Sequence, residues 1–238
     1  MNWTAKLRPS GTSGGAASSK AGPATATAKA TTAGASAANA RVSNGLKEFL
    51  GLFGDEKQPR ILDLGNVSQS TLNFFIARGF RVSTEDLLRS WKEFLTAEEE
   101  NLRRAAPGQE GEKISQVMLA EKFLDSAVVY GEESFDGVLA WDLLDYLDSE
   151  LLRRLMDRLY AVLRPGGAVL AMFHSRTPER YHRYRILDMQ SVELIPSATL
   201  AVHTRVFQNR EMLDLFAKFR SSKTFVGRDQ LREALFLK

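Results

Sequence analysis

Apolar positions along this chain fall into two rhythms, one of period two and one of period three to four. Residues 60–64 form a short apolar run closing on Asp63-Leu64-Gly65, which predicts a buried parallel strand that delivers a tight turn to a helix start. Before it, Leu46, Phe49, Leu50 and Phe53 share one helical face, with Ser43 or Asn44 as cap and an end near Gly54. After it, Leu72, Phe75 and Ile76 have helical spacing, and Gly79 stands where a C-cap belongs. Residues 80–84 predict a second strand ending at Glu85-Asp86, followed by an amphipathic helix over 87–104 and a polar Pro/Gly loop over 105–113. The next stretch admits two readings. Ile114, Val117, Met118 and Phe123 have helical spacing, while residues 127–130 fit a short third strand or a lining loop.

Ser134-Phe135-Asp136-Gly137-Val138-Leu139-Ala140-Trp141-Asp142 predicts an acidic turn feeding an apolar strand, with Asp136 bonded locally at its entrance. Leu143, Leu144, Tyr146 and Leu147 continue as an apolar cluster. Leu151, Leu152, Leu155, Met156, Leu159 and Leu163 repeat at three and four, predicting a helix that ends at Arg164-Pro165-Gly166-Gly167, a turn into a strand over 168–173. A hairpin over 183–186 and 192–195, a helix around Met212, Leu213, Leu215 and Phe216, and strands over 219–226 and 231–237 complete the pattern.

Composition narrows the setting. With 238 residues, 44% of them hydrophobic, the chain holds one α/β domain of roughly 190 residues plus a tail. Residues 1–42, dominated by Ala, Ser, Thr and Gly, predict a disordered tail, so that the domain runs over 43–238 and removal of 1–42 should leave folding unchanged. Six basic residues (Lys6, Arg8, Lys20, Lys29, Arg41, Lys47) precede the first acid, Glu48; with those six subtracted, 26 basic residues face 29 acidic ones, a body of about −3. The pI of 9.1 therefore belongs to the tail, and the folded domain is not expected to bind nucleic acid. The absence of cysteine excludes disulfides, thiolate metal sites and cysteine nucleophiles, and it suits a reducing cytoplasm. No apolar run reaches the roughly 18 residues of a membrane span, so no membrane insertion is expected.

Candidate chemistry gathers at the predicted strand ends. Gly65 lets the backbone approach a ligand closely beside a helix N-terminus. Glu85 or Asp86, about 20 residues on, stands where an acid accepts hydrogen bonds from ribose hydroxyls; the other reading is a cap for the following helix. Trp141 and Asp142 reach the carboxyl edge, where open α/β sheets hold ligands. His174 and His203 are candidate general bases, and no metal motif joins the histidines. The run Arg176, Arg180, Tyr181, His182, Arg183, Tyr184, Arg185 is either a basic, aromatic rim for an anionic or planar molecule or a solvated cover.

Ile61-Leu62-Asp63-Leu64-Gly65 and Leu163-Arg164-Pro165-Gly166-Gly167, about a hundred positions apart, together resemble the first and fifth strand regions of class I S-adenosylmethionine-dependent methyltransferases. The resemblance spans roughly residues 43–238. It implies a Rossmann-like, doubly wound, mostly parallel seven-stranded sheet with an antiparallel C-terminal strand pair. It also implies S-adenosylmethionine as cofactor, held by Asp63, Gly65, Asn66, Ser68, Glu85, Asp86, Trp141 and, against the adenine amino group, Asp125. Asp142 and Tyr146, at the family's position facing the methyl group and the acceptor, are implied catalytic candidates, and His174 joins them as a candidate general base. The family's turn runs Gly-x-Gly-x-Gly, whereas this one runs Gly65-Asn66-Val67-Ser68-Gln69 and keeps only the first glycine. No Asn/Asp-Pro-Pro-aromatic segment follows the fourth strand, which favours methyl transfer to a small molecule over a nucleic-acid base. Val67 and Gln69 favour the alternative, a non-catalytic methyltransferase-like binding or assembly module. A nicotinamide-linked oxidoreductase is a third reading, for which the turn lacks Gly-x-Gly-x-x-Gly.

Overall fold

The chain opens with β1 (Ala40–Val42), α1 (Asn44–Gly51), β2 (Arg60–Asp63), α2 (Gln69–Ile76), β3 (Arg81–Thr84), α3 (Leu87–Ala105) and α4 (Gln116–Ala127). It continues through β4 (Phe135–Trp141), a 3₁₀ turn (Leu143–Tyr146), α5 (Ser149–Val162), β5 (Leu163–His174), β6 (Tyr181–Asp188) and β7 (Ser191–Ser197). It closes with α6 (Asn209–Leu215), β8 (Ser221–Val226) and β9 (Leu231–Leu237). This computed structural model describes residues 39–54, 56–105, 115–198, 205–227 and 229–238; His203, Arg228 and the loop expected over 105–113 fall mainly or wholly outside them.

Six strands make the main sheet in the order β3-β2-β4-β5-β9-β8. The first four are parallel, and β9 and β8 close the sheet as an antiparallel pair. The sheet has six strands rather than seven because the expected third strand does not form. Residues 116–127 are helical, Val128 is buried beneath them, and residues 128–130 run as unpaired loop, leaving β3 at the edge.

Alternation along the strands builds two cores, one on each face. Leu62, Val138, Ala140, Val169 and Ala171 pack under α4 and α5, with Leu87 and Leu88 of α3 in the same cluster. Ile61, Leu139, Leu170 and Met172 pack under α1 and α2. This is the doubly wound arrangement, in which a ligand crevice opens at the carboxyl ends of the two strands where the connections diverge, here β2 and β4.

Several elements depart from the sequence expectation. In α2 the buried face is Thr71, Phe74 and Phe75, and Ile76 is exposed. The Pro165-Gly166-Gly167 segment is no turn between helix and strand but an irregular stretch inside β5, with Gly166 at φ 82° and a register shift against β4. The hairpin is longer than expected, and β6 and β7 join β1 in a second, antiparallel sheet of order β1-β7-β6 laid over the α1/α2 face. The described structure therefore includes a strand, β1, ahead of the boundary expected at residue 43. Removing residues 1–42 would take away β1 together with Arg41, which ion-pairs to Asp229 and to the buried Glu233. Among the described residues no helix is long and apolar enough to cross a membrane.

Candidate functional site

At the carboxyl end of β2, the buried Asp63 accepts hydrogen bonds through Oδ1 from Gly65 N (3.0 Å) and from Trp141 Nε1 (2.7 Å). Trp141, last residue of β4, has φ 48°, a left-handed backbone that turns its indole back across the switch point. There it stacks on Tyr184 of β6, with ring centroids 5.1 Å apart and planes 7° from parallel. A Cβ added to Gly65 would overlap the indole, with Nε1 at 2.7 Å, so glycine is required here by a side chain of the protein itself. The crevice bounded by Gly65, Asn66, Asp86, Trp141, Asp142 and the β6 residues over 181–184 has a volume of only about 20 Å³.

Most of the predicted binding residues do meet here. Asn66 donates through Nδ2 to Asp86 (2.7 Å) and accepts from Arg183 (3.3 Å). Asp86 stands directly before α3, where it also pairs with Arg89. Glu85 accepts a hydrogen bond from the Tyr130 hydroxyl (2.8 Å), and burial together with that carboxylate pushes the Tyr130 phenol up to about 12. Two predicted residues lie elsewhere. Ser68 sits at the N-terminus of α2 with its hydroxyl against Ser70, lining a separate surface cleft beyond Asn66. Asp125 is 72% exposed on the outer face of α4, where it pairs with Arg158 of α5. Its position on α4 sets it apart from the residues that line the crevice.

The three catalytic candidates converge beneath the crevice. Asp142 Oδ2 lies 3.8 Å from His174 Nε2. The opposite ring nitrogen, Nδ1, lies 3.0 Å from Asp145 Oδ2, which also accepts the His174 backbone N–H (2.8 Å). Tyr146 packs edge-on against Tyr181 at 5.4 Å. Sequence reasoning missed Asp145, which is wholly buried; of the basic, aromatic run, Tyr181 and Tyr184 both belong to β6 and are buried rather than forming an open rim or a solvated cover. The available signal was the spacing Asp142 to Asp145 inside an apolar run, since an acid there must find a partner. Burial pushes the phenols of Tyr146, Tyr181 and Tyr184 well above their ordinary range, and the carboxylate of Asp142 adds to that.

Burial raises Asp63 to about 6, against the opposing pull of the Trp141 and Gly65 hydrogen bonds. It raises Asp142 to about 7, with His174 pulling the other way and Asp145 adding to the rise. A carboxyl raised on folding takes up a proton as the chain folds. Its contribution to stability is complete below the ordinary carboxyl range and is lost as pH climbs through 6 to 7. These two groups should make the domain melt at a lower temperature at pH 8 than at pH 5. Asp142→Asn is expected to flatten that difference and to raise the melting temperature at pH 8. Identical pH slopes in thermal melts of the two proteins would remove Asp142 as a source.

No protein-family model matches this chain, and no curated protein sequence matches it. Among solved structures, the chain is similar to S-adenosylmethionine-dependent methyltransferases. One from Archaeoglobus fulgidus is 13% identical, with 81% of this chain and 91% of that one covered at a TM-score of 0.46. Another, from Methanosarcina mazei, is 15% identical over 76% and 92% of the two chains at 0.43. The 1,6-didemethyltoxoflavin-N1-methyltransferase of Burkholderia thailandensis, solved with bound 1,6-didemethyltoxoflavin and S-adenosylhomocysteine, is 18% identical over 82% and 76% at 0.44.

Proposed function

We propose that this chain is an S-adenosylmethionine-dependent methyltransferase acting on a small-molecule acceptor in the cytoplasm. The observation that carries the reading is the convergence of Gly65, Asp86 and Asp142 on one crevice at the switch point of a doubly wound sheet, with Glu85 at the adjoining end of β3.

The polar groups suit such a donor. Glu85 and Asp86 would accept hydrogen bonds from ribose hydroxyls, and the Gly65 turn would bring backbone amides close. Space is the constraint, for a site holding a drug-sized ligand measures roughly 300–1,000 Å³, against about 20 Å³ here. Donor binding on this reading requires the Trp141 indole to leave Gly65. The bound donor would supply an electrophilic methyl group. The chain's own work would be to orient the acceptor and exclude water, which the β6 cover over residues 181–184 is placed to do. For an acceptor that must lose a proton, His174, held at Nδ1 by Asp145, is the group placed to take it.

The filled crevice also favours a second reading, a methyltransferase-like module without catalysis. Calorimetric titration with S-adenosylmethionine and S-adenosylhomocysteine separates the two. Micromolar binding that Glu85→Ala weakens by about tenfold or more, the loss of a hydrogen bond to a charged group, supports the enzyme. Absence of heat up to millimolar ligand supports the module.

A further inference from the structure

Next to the crevice lies a much larger cavity, about 440 Å³, framed by the loop over residues 175–180, by His182 of β6, by Leu194 of β7 and by the turn entering β9. Its volume falls within the range of small-molecule sites. His182 lines both spaces, so cavity and crevice stand back to back, and His174, carboxylate-flanked, belongs to the cavity wall.

The lining has two characters. Leu194 and Leu231 offer an apolar wall, while Arg176 and Arg180 stand on the opposing loop. Several arginines of this domain hold carboxylates, among them Arg41, Arg89, Arg153, Arg154, Arg158 and Arg164. Among the described residues Arg176 and Arg180 form no ion pair. Of the two acids on the lining, Asp229 is already bound to Arg41 Nε at 2.9 Å, which leaves Glu179 alone against two guanidinium groups. An apolar wall facing uncommitted guanidinium groups selects for a molecule with an apolar body and one anionic end, because a guanidinium binds a carboxylate by two parallel charge-assisted hydrogen bonds.

We propose that this cavity seats a small apolar molecule bearing a carboxylate, with Arg176 and Arg180 binding its charge and Leu194 and Leu231 receiving its body. As the seat of the methyl acceptor it rests on the methyl-transfer reading; as a carboxylate site it does not.

The test is therefore run on the full chain without any methyl donor, by calorimetry with benzoate and with its neutral isostere benzamide. Benzoate is expected to bind in the millimolar range or tighter, and benzamide at least about tenfold more weakly, the difference between a charge-assisted pair and a neutral hydrogen bond. Arg176→Ala/Arg180→Ala should bring benzoate down to the benzamide level. Arg220→Ala, at the far end of the β8–β9 pair, should leave benzoate binding unchanged. Both arginines of the double variant are exposed, so its fold is not at risk. Equal affinity for the two probes, benzoate binding that survives the double variant, or no benzoate binding at all would overturn the proposal. Failure of donor binding in the separate titration leaves these outcomes untouched.

Discussion

Trp141→Gly is expected to tighten S-adenosylmethionine and S-adenosylhomocysteine binding by at least about tenfold, a gain of roughly 1.4 kcal/mol, while lowering thermal stability. The wild-type indole fills the space beside Gly65, donates to Asp63 and stacks on Tyr184. Any ligand entering there must first displace these contacts, so the intrinsic affinity is reduced by the small fraction of molecules in which the indole has moved. Glycine removes the side chain and also suits the left-handed backbone at this position, where alanine would stay strained. Deleting a buried tryptophan costs about 3–5 kcal/mol, and relief of the positive φ returns about 1 kcal/mol. For a domain of this size the net loss lowers the melting temperature by roughly 10 °C. Calorimetry at matched protein stability, with circular dichroism to verify folding, checks both parts. A folded variant that binds the donor no better than wild type would show that the Gly65 crevice is not a donor site, and the non-catalytic reading would then stand alone.

The contrast between what was legible in the residues and what was not follows from the range of the forces involved. The elements read directly were those whose burial is set by their own periodicity: β2, the all-buried β4, α5 with its leucine stripe, and β9. Ser43 was readable as a cap because its hydroxyl bonds only three residues away, to Leu46 N (3.0 Å). β1 was not readable. Ala40-Arg41-Val42 carries no pattern, and the strand exists because it pairs with residues 191–193 of β7. The missing third strand failed for a related reason. Ala120, Phe123 and Leu124 are spaced for a helix, which runs to Ala127, and residues 128–130, for which a strand or a lining loop was open, find no pairing partner and run as loop. Asp125 then followed the helix outward. At the site, the meeting of Gly65, Asp86 and Asp142 was foreseeable from the ends of three strands. Closure by Trp141 was not, since it depends on a single left-handed residue and on a hairpin more than forty positions further along, which supplies Tyr184.

The second large effect belongs to the other end of the molecule. Arg41→Ala is expected to destabilise the domain by about 3–5 kcal/mol, because it strands a buried carboxylate. Glu233 of β9 is 2% exposed at its side chain; its Oε1 is bound by Arg41 Nη2 at 2.8 Å and its Oε2 accepts the Gly45 backbone N–H at 2.5 Å, in the first turn of α1. Burial still pushes the Glu233 carboxyl upward, with the Gly45 N–H and Arg41 opposing it. Arg41 thereby ties the N-terminal strand to the last strand of the main sheet, and Asp229 holds the same guanidinium from the turn before β9. The charge, rather than packing, should dominate. Arg41→Met/Glu233→Gln, which removes both charges and keeps most of the volume, should recover more than half of the loss. Deletion through Val42 should lower the melting temperature at least as far as Arg41→Ala does, since it removes the β1 pairing as well. Urea melts of the four proteins decide the matter. A loss below about 1 kcal/mol in Arg41→Ala is the size of an exposed ion pair; it would mean that solvent reaches Glu233 when Arg41 is absent and that the domain is self-sufficient from residue 43 onward.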